Sequence, residues 1–316
     1  MSLQSARVNV LDYIIASLAP IIGYLGKRYH QCGAVNMPRS RRAFRQAGIY
    51  PIPRHYYFPL FHDGDFDRNQ ERQLPGIDLR ANEQIAFLNK LVYVDEVVQL
   101  GMERSSASPL HFRLGNGLFE SGDAEFLYQF IRSIKPHKVI EIGGGYSTKL
   151  VSMAMLKNCS EDLTSMSHTV IEPYEQPWLD ALDIDLVRDP VQSCSIDYFK
   201  SLSSGDLLFI DSSHMIRRGG DVLYEYLEVL PTLQSGVYVH VHDIFTPSDY
   251  PKSWTQEHIL FWNEQYLLEA MLSNSSRYRV VAGLNFLKAH FYNDLRRVCP
   301  YLTQDREPGS FYFQVV

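Results

Sequence analysis

The chain has 316 residues, a length that suits about two domains or one large domain with an extension. Apolar residues make up 45% and charged residues 21%, which excludes intrinsic disorder, collagen and low-complexity architectures. The net charge of −6 argues against a nucleic-acid partner, but it is unevenly spread: residues 1–50 hold seven Lys/Arg against one acid, while the other 266 hold 23 against 35.

Four cysteines, Cys32, Cys159, Cys194 and Cys299, lie far apart without a CxxC pair, so the sequence carries neither a zinc knuckle nor a disulfide framework. A reducing, cytoplasmic setting is expected. From Tyr13 to Gly26 the chain is uncharged, with Pro20 in the middle of the run and Arg39, Arg41, Arg42 and Arg45 following. Fourteen residues fall short of the roughly 20 needed to cross a bilayer. Three readings stay open for residues 8–45: a helix packed on the body of the protein, a peripheral anchor on the inner membrane face, or a secretory signal. Residues 50–75, rich in proline and aromatics, read as an ordered loop, and 83–100 as an amphipathic helix.

From about residue 117 the pattern becomes alternating. A helix is expected over 121–134, with Ser121 placed to cap it and Glu125 in its first turn. Apolar runs at 138–142, 168–173, 184–187, 207–211 and 237–243 read as strands, with helices at 147–157, 175–182, 219–230 and 256–273. A strand at 277–282, a helix at 284–298 and an alternating strand at 309–316 close the chain. Such alternation makes an α/β fold with a mostly parallel sheet covered on both faces, and ligands in such sheets bind at the carboxyl ends of the strands.

The motifs sit at those ends. The first strand runs into Glu141-Ile142-Gly143-Gly144-Gly145-Tyr146-Ser147, where glycine lets the backbone turn and approach a ligand. Tyr146-Ser147-Thr148 follows where a dinucleotide fingerprint would need its third glycine, and the spacing to Lys149 is wrong for a P-loop. The second strand ends at Glu172, a carboxylate able to accept ribose hydroxyls. After the fourth and fifth strands come Asp211-Ser212-Ser213-His214 and His240-Val241-His242-Asp243, and strand alternation puts His240 and His242 on one face. Carboxylates there suit a divalent ion such as Mg²⁺, and a histidine suits proton abstraction from a hydroxyl. No G-x-S-x-G elbow surrounds Ser212 and Ser213, which argues against a hydrolase.

The E-x-G-x-G turn, the acid ending the second strand and the closing strand pair resemble class I S-adenosylmethionine-dependent methyltransferases over residues 117–316. The I-D-x-S-H run with its distal aspartate resembles the metal-dependent sugar O-methyltransferases of macrolide biosynthesis. The resemblance implies a Rossmann-like seven-stranded sheet with one antiparallel strand, behind an N-terminal extension of residues 1–116. It implies that Glu141, Gly143, Gly145, Ser147, Glu172, Asp123 and Val191 hold S-adenosylmethionine. It further implies Asp211, Asp243 and His242 as metal ligands, with His214 as base beside Asp211. His242 stands where that group more often has an acid. The substrate expected is a small molecule or glycan bearing a hydroxyl. A metal-independent N- or carboxyl-methyltransferase and a membrane-associated module with a vestigial cofactor site are the alternatives. The sequence leaves the oligomeric state open.

Overall fold

The computed structural model describes residues 3–55, 57–60, 71–102, 108–162, 165–174 and 176–316, so part of the aromatic loop at 50–75 lies outside the described residues. It divides into two compact units, Met1–Asn69 and Gln70–Val316.

In the first unit, α1 (Leu3–Cys32) runs unbroken through Pro20 and α2 (Pro38–Ala47) follows, with proline at its first position and Gly48 ending it in a left-handed conformation. Residues 7–25 of α1 are exposed, whereas Gly26 and Tyr29 are buried, Tyr29 against the ring of Phe44 from α2. The uncharged run is thus the middle of a helix of 30 residues, longer than the run itself suggests.

In the second unit, α3 (Ala81–Leu88), α4 (Val94–Met102) and α5 (Asp123–Ile134) precede β1 (Lys138–Ile142). Then come α6 (Tyr146–Asp162), β2 (Ser167–Ile171), β3 (Asp185–Val187), α7 (Asp197–Lys200), β4 (Leu207–Ile210), α8 (Asp221–Tyr224) and β5 (Tyr238–Val241). The chain closes with α9 (Lys252–Gln256), α10 (Glu264–Leu272), β6 (Tyr278–Gly283), α11 (Leu284–His290), α12 (Tyr292–Val298) and β7 (Phe311–Val315).

The strands make one sheet in the order β3-β2-β1-β4-β5-β7-β6, with β7 antiparallel to both neighbours and the remaining pairs parallel. The period of two in each strand sorts the core. Val139, Leu207 and Phe209 face one layer with Phe126, Phe130 and Val151; Ile140, Leu208 and Ile210 face the other with Phe199, Val222 and Leu268. Both faces are therefore buried, which is why the central strands read as largely apolar stretches rather than as alternating ones.

Four expected details are corrected. Gly122, not Ser121, caps α5: its φ is 95°, and its N–H donates to Glu125 Oε2 at 2.6 Å. The 175–182 stretch shortens to a 3₁₀ turn, Leu179–Ala181. The 219–230 helix changes from α to a π turn at Glu225–Val229. The stretches 83–100 and 284–298 each break in two, the latter at Phe291, whose φ of −136° and ψ of 41° lie outside the helical region, and of 256–273 only Gln256 and Glu264–Leu272 are helical.

Candidate functional site

The strand order reverses between β1 and β4, and a crevice opens at the carboxyl ends of strands where that happens. A cavity of about 360 Å³ lies there, lined among others by Gly143, Glu172, Val191, Gln192, Asp211 and Arg217.

One half of the site is built from backbone. Gly143 follows β1 with a φ of 91°, and a Cβ on it would stand 1.9 Å from the carbonyl oxygen of Asp211. Only glycine permits this close approach of the β1 and β4 ends. Glu172 borders the cavity and braces the same turn, accepting the Gly144 N–H through Oε2 at 3.0 Å and the Tyr174 N–H through Oε1 at 2.8 Å. Each oxygen keeps a lone pair for a ligand. The donor set fits an adenosyl group: a carboxylate for hydroxyls, a glycine backbone at van der Waals reach and Val191 as an apolar wall.

The remaining residues expected to hold the cofactor are not among those that line this cavity. Glu141 is fully buried; its Oε1 accepts the Ser147 hydroxyl at 2.6 Å and its Oε2 lies 3.0 Å from His168 Nε2. Glu141 and Ser147 therefore tie the glycine turn to β1 and α6 from beneath. Gly145 opens α6, its N–H donating to Thr148 Oγ1. Asp123 accepts the backbone N–H groups of Ser310 at 2.8 Å and Gly309 at 3.3 Å, binding the start of α5 to the segment before β7.

The other half is built from titratable side chains. Ligand atoms of Asp211, His214 and Asp243 all lie within 4.8 Å of one another. His214 Nε2 is 3.3 Å from Asp211 Oδ1 and 3.5 Å from Asp243 Oδ2. His242 also reaches both aspartates, Nδ1 3.3 Å from Asp243 Oδ1 and 3.7 Å from Asp211 Oδ1, while His214 is the histidine of the compact trio. Both His214 and Asp243 hold left-handed backbone, φ 57° and 58°, a strained conformation that aims both side chains at one point.

Charge balance follows from burial among opposite charges. Burial opposes ionisation of Asp211, but the His242 cation and the His214 hydrogen bond hold its carboxyl well below the usual carboxylate range. Burial likewise opposes a cation on His214, yet hydrogen bonds to Asp211 and Glu264 raise it well above the ordinary imidazole value. For His242, the charges of Asp243 and Asp211 outweigh burial in the same direction. His240 is the contrast. Sandwiched between Phe209 and Tyr312 with ring centroids 4.1 and 4.2 Å away, it is held neutral by burial and by the neighbouring His242 charge.

The sequence reading missed Glu264. This fully buried carboxylate lies 2.8 Å from His214 Nδ1 through Oε2, while the backbone N–H groups of Asn263 and Glu264 donate to the His214 carbonyl. The imidazole is thus gripped at ring and backbone, with Nε2 left facing the aspartates, and Trp262 covers it at 4.3 Å. Fifty residues separate the pair, so no local spacing announces it. Glu225 was missed as well: it accepts the Ser212 hydroxyl, and burial, then Glu264 and Asp221, push its carboxyl up.

The family described as a methyltransferase domain matches residues 140–244, which run from β1 to just past β5 and contain both halves of the site. An uncharacterized protein of Archaeoglobus fulgidus is 28% identical over 179 residues, covering 52% of this chain and 79% of that protein. The solved structure of the plantazolicin methyltransferase BpumL in complex with SAH covers 75% of this chain and 98% of its own, at 14% identity and a TM-score of 0.37.

Proposed function

We propose that this chain is a class I S-adenosylmethionine-dependent methyltransferase and that it methylates a hydroxyl of a sugar, glycan or similar polar metabolite, a reading supported by the methyltransferase-domain match over residues 140–244 and by the strand order. The observation that carries the acceptor class is the convergence of Asp211, His214 and Asp243 beside the cavity, with Asp211 belonging to both. S-adenosylmethionine supplies an electrophilic methyl group, and Gly143, Glu172 and Val191 would hold it.

An alcohol is a poor nucleophile at neutral pH and must lose its proton as its oxygen gains the methyl. His214 Nε2 is the acceptor for that proton, since Nδ1 is already engaged by Glu264. Glu264 fixes the ring orientation and stabilises the imidazolium that results. Asp211 and Asp243 point their oxygens at the same space and orient the hydroxyl there. The oxygens of Asp211 and Asp243 fit a divalent ion that leaves His214 Nε2 free as base, and such an ion would lower the hydroxyl pKa and offset the aspartate charge that keeps His214 protonated.

The balance of Asp211 and Asp243 by His214 and His242 favours a second reading, in which no cation is needed and the acceptor is a nitrogen or carboxylate. Labelled-methyl transfer to fractionated cell extract, with added Mg²⁺ or Mn²⁺ and with EDTA, separates the two. The hydroxyl reading expects transfer to a base-stable product, lost in EDTA and restored by metal. Full activity in EDTA removes the metal, and a product labile to mild base identifies a carboxyl acceptor instead.

A further inference from the structure

We propose that α1 crosses a lipid bilayer, with the basic segment that follows it on the cytoplasmic side. The exposed stretch of α1, residues 7–25, has 19 residues, and at 1.5 Å per residue it is about 28 Å long, close to the hydrocarbon thickness of a bilayer. Packing begins where that length ends: Gly26 and Tyr29 are buried within the first unit while the preceding residues are not. The helix is long and apolar enough to cross a membrane.

Two other occupants fit less well. Leu11, Ile14, Leu18, Ile21 and Leu25 fall at coiled-coil spacing, so a second copy of the helix is a candidate. A coiled coil in water, however, keeps its outer positions charged, and from Tyr13 to Gly26 no face of α1 carries a charge. A helix lying in the membrane surface needs a strongly polar face, and the same absence counts against it. The face opposite the aliphatic stripe carries Ala16, Ala19, Pro20 and Gly23, residues that spanning helices tolerate. Within the span, Ser17 satisfies its hydroxyl by donating to the Tyr13 carbonyl at 2.8 Å, as a polar group in hydrocarbon must. Asp12 lies about five residues inside the N-terminal edge, where the cost of a charge is lower than at mid-bilayer.

Orientation follows from charge. Lys27, Arg28, Arg39, Arg41, Arg42 and Arg45 come within twenty residues of Leu25, and no acid occurs between Asp12 and Asp63. The four arginines of α2 are exposed, and Arg41, Arg42 and Arg45 share one face of that helix. Basic residues close after a span are retained on the cytoplasmic side and are drawn to anionic headgroups there.

The full chain expressed in bacterial cells provides the test. Expected is recovery in membranes that resists alkaline carbonate and high salt and yields to detergent, with residues 1–26 retained in the intact mass. Release by carbonate, recovery as a soluble oligomer, or loss of the N-terminal residues by cleavage each overturns the proposal. Leu18→Arg, which places a charge near mid-span, should move the protein from the membrane pellet to the supernatant. Calorimetric binding of S-adenosylmethionine by that variant verifies that the second unit is folded; binding retained with unchanged pelleting overturns the span. For orientation, Cys32 in a Cys159→Ser, Cys194→Ser background should react with an impermeant maleimide only after the spheroplasts are permeabilised. Labelling of sealed spheroplasts reverses the assignment.

Discussion

The two halves of the strand-end site are made of different material. At the ends of β1 and β2 the lining is a glycine backbone, one carboxylate and an apolar wall, braced by Glu141 from beneath. At the ends of β4 and β5 it is two aspartates and two histidines, among which the neighbouring charges and hydrogen bonds set the protonation of Asp211, His214 and His242. The first half is a matter of shape, decided by which atoms can approach. The second is a matter of charge, decided by what is buried beside what. Gly143 and Asp211 touch where the halves meet, so the shape of one sets the position of the other.

The comparison breaks hardest at that contact. Gly143→Ala forces a methyl group into the Asp211 carbonyl at a left-handed φ, and we expect a loss of roughly 3 kcal/mol or more in stability together with loss of both cofactor binding and turnover. Thermal unfolding and calorimetry measure the two; an unchanged melting temperature contradicts the packing described. His214→Gln should separate the halves, lowering kcat by about 10²- to 10⁴-fold while S-adenosylmethionine affinity stays within a few-fold. A parallel loss of affinity argues against two distinct halves.

Glu264→Gln probes the same half at one remove. A residue that orients a reactive imidazole typically contributes about 10- to 100-fold, so kcat should fall by that amount with cofactor affinity unchanged. A kcat equal to wild type shows that the ring is held by its backbone contacts alone.

The smallest effect sharpens the lesson about buried charge. Glu125 is as buried as Asp211's neighbours, but its oxygens accept from the backbone N–H groups of Gly122 and Tyr301, and the nearby charge is that of Asp123, another acid. Burial therefore wins and its pKa is pushed up to about 7 from an ordinary 4.5, whereas cations hold Asp211 down. Between those pH values the folded protein binds more protons than the unfolded chain. The stabilisation is complete below about pH 4.5 and is lost as pH rises through 7, amounting to at most about 3 kcal/mol. The wild-type melting temperature should fall by a few degrees more than that of Glu125→Gln between pH 5 and pH 8. Identical pH slopes for the two proteins remove Glu125 from the account.

Much of this architecture is legible without coordinates because its signals are local. The strands buried on both faces appear as short, largely apolar stretches, and the glycines at 143–145 and the acid at 172 follow their strands directly. Helix interruptions are less legible. In 256–273 and 284–298 apolar residues continue at helical spacing across the break, while the backbone leaves the helix after Gln256, with Ile259 at φ 57° in the gap before α10, and at Phe291. Periodicity reports which face is buried and is silent about whether the backbone bond ladder is continuous.

The sequence by itself determined the α/β order of the second unit, the strand ends that carry Gly143, Glu172, Asp211 and Asp243, and the basic, uncharged-run character of the first 50 residues. Only the tertiary structure decided that Glu141 is engaged by Ser147 and His168, that His214 forms a compact trio with the two aspartates, and that Glu264 grips it from 50 residues away. It also decided that α1 continues through Pro20 with residues 7–25 exposed. The physical reason is the range of the forces involved. Burial patterns and turn preferences act between neighbours along the chain, whereas charge balance and solvent exposure depend on what folding brings near in space.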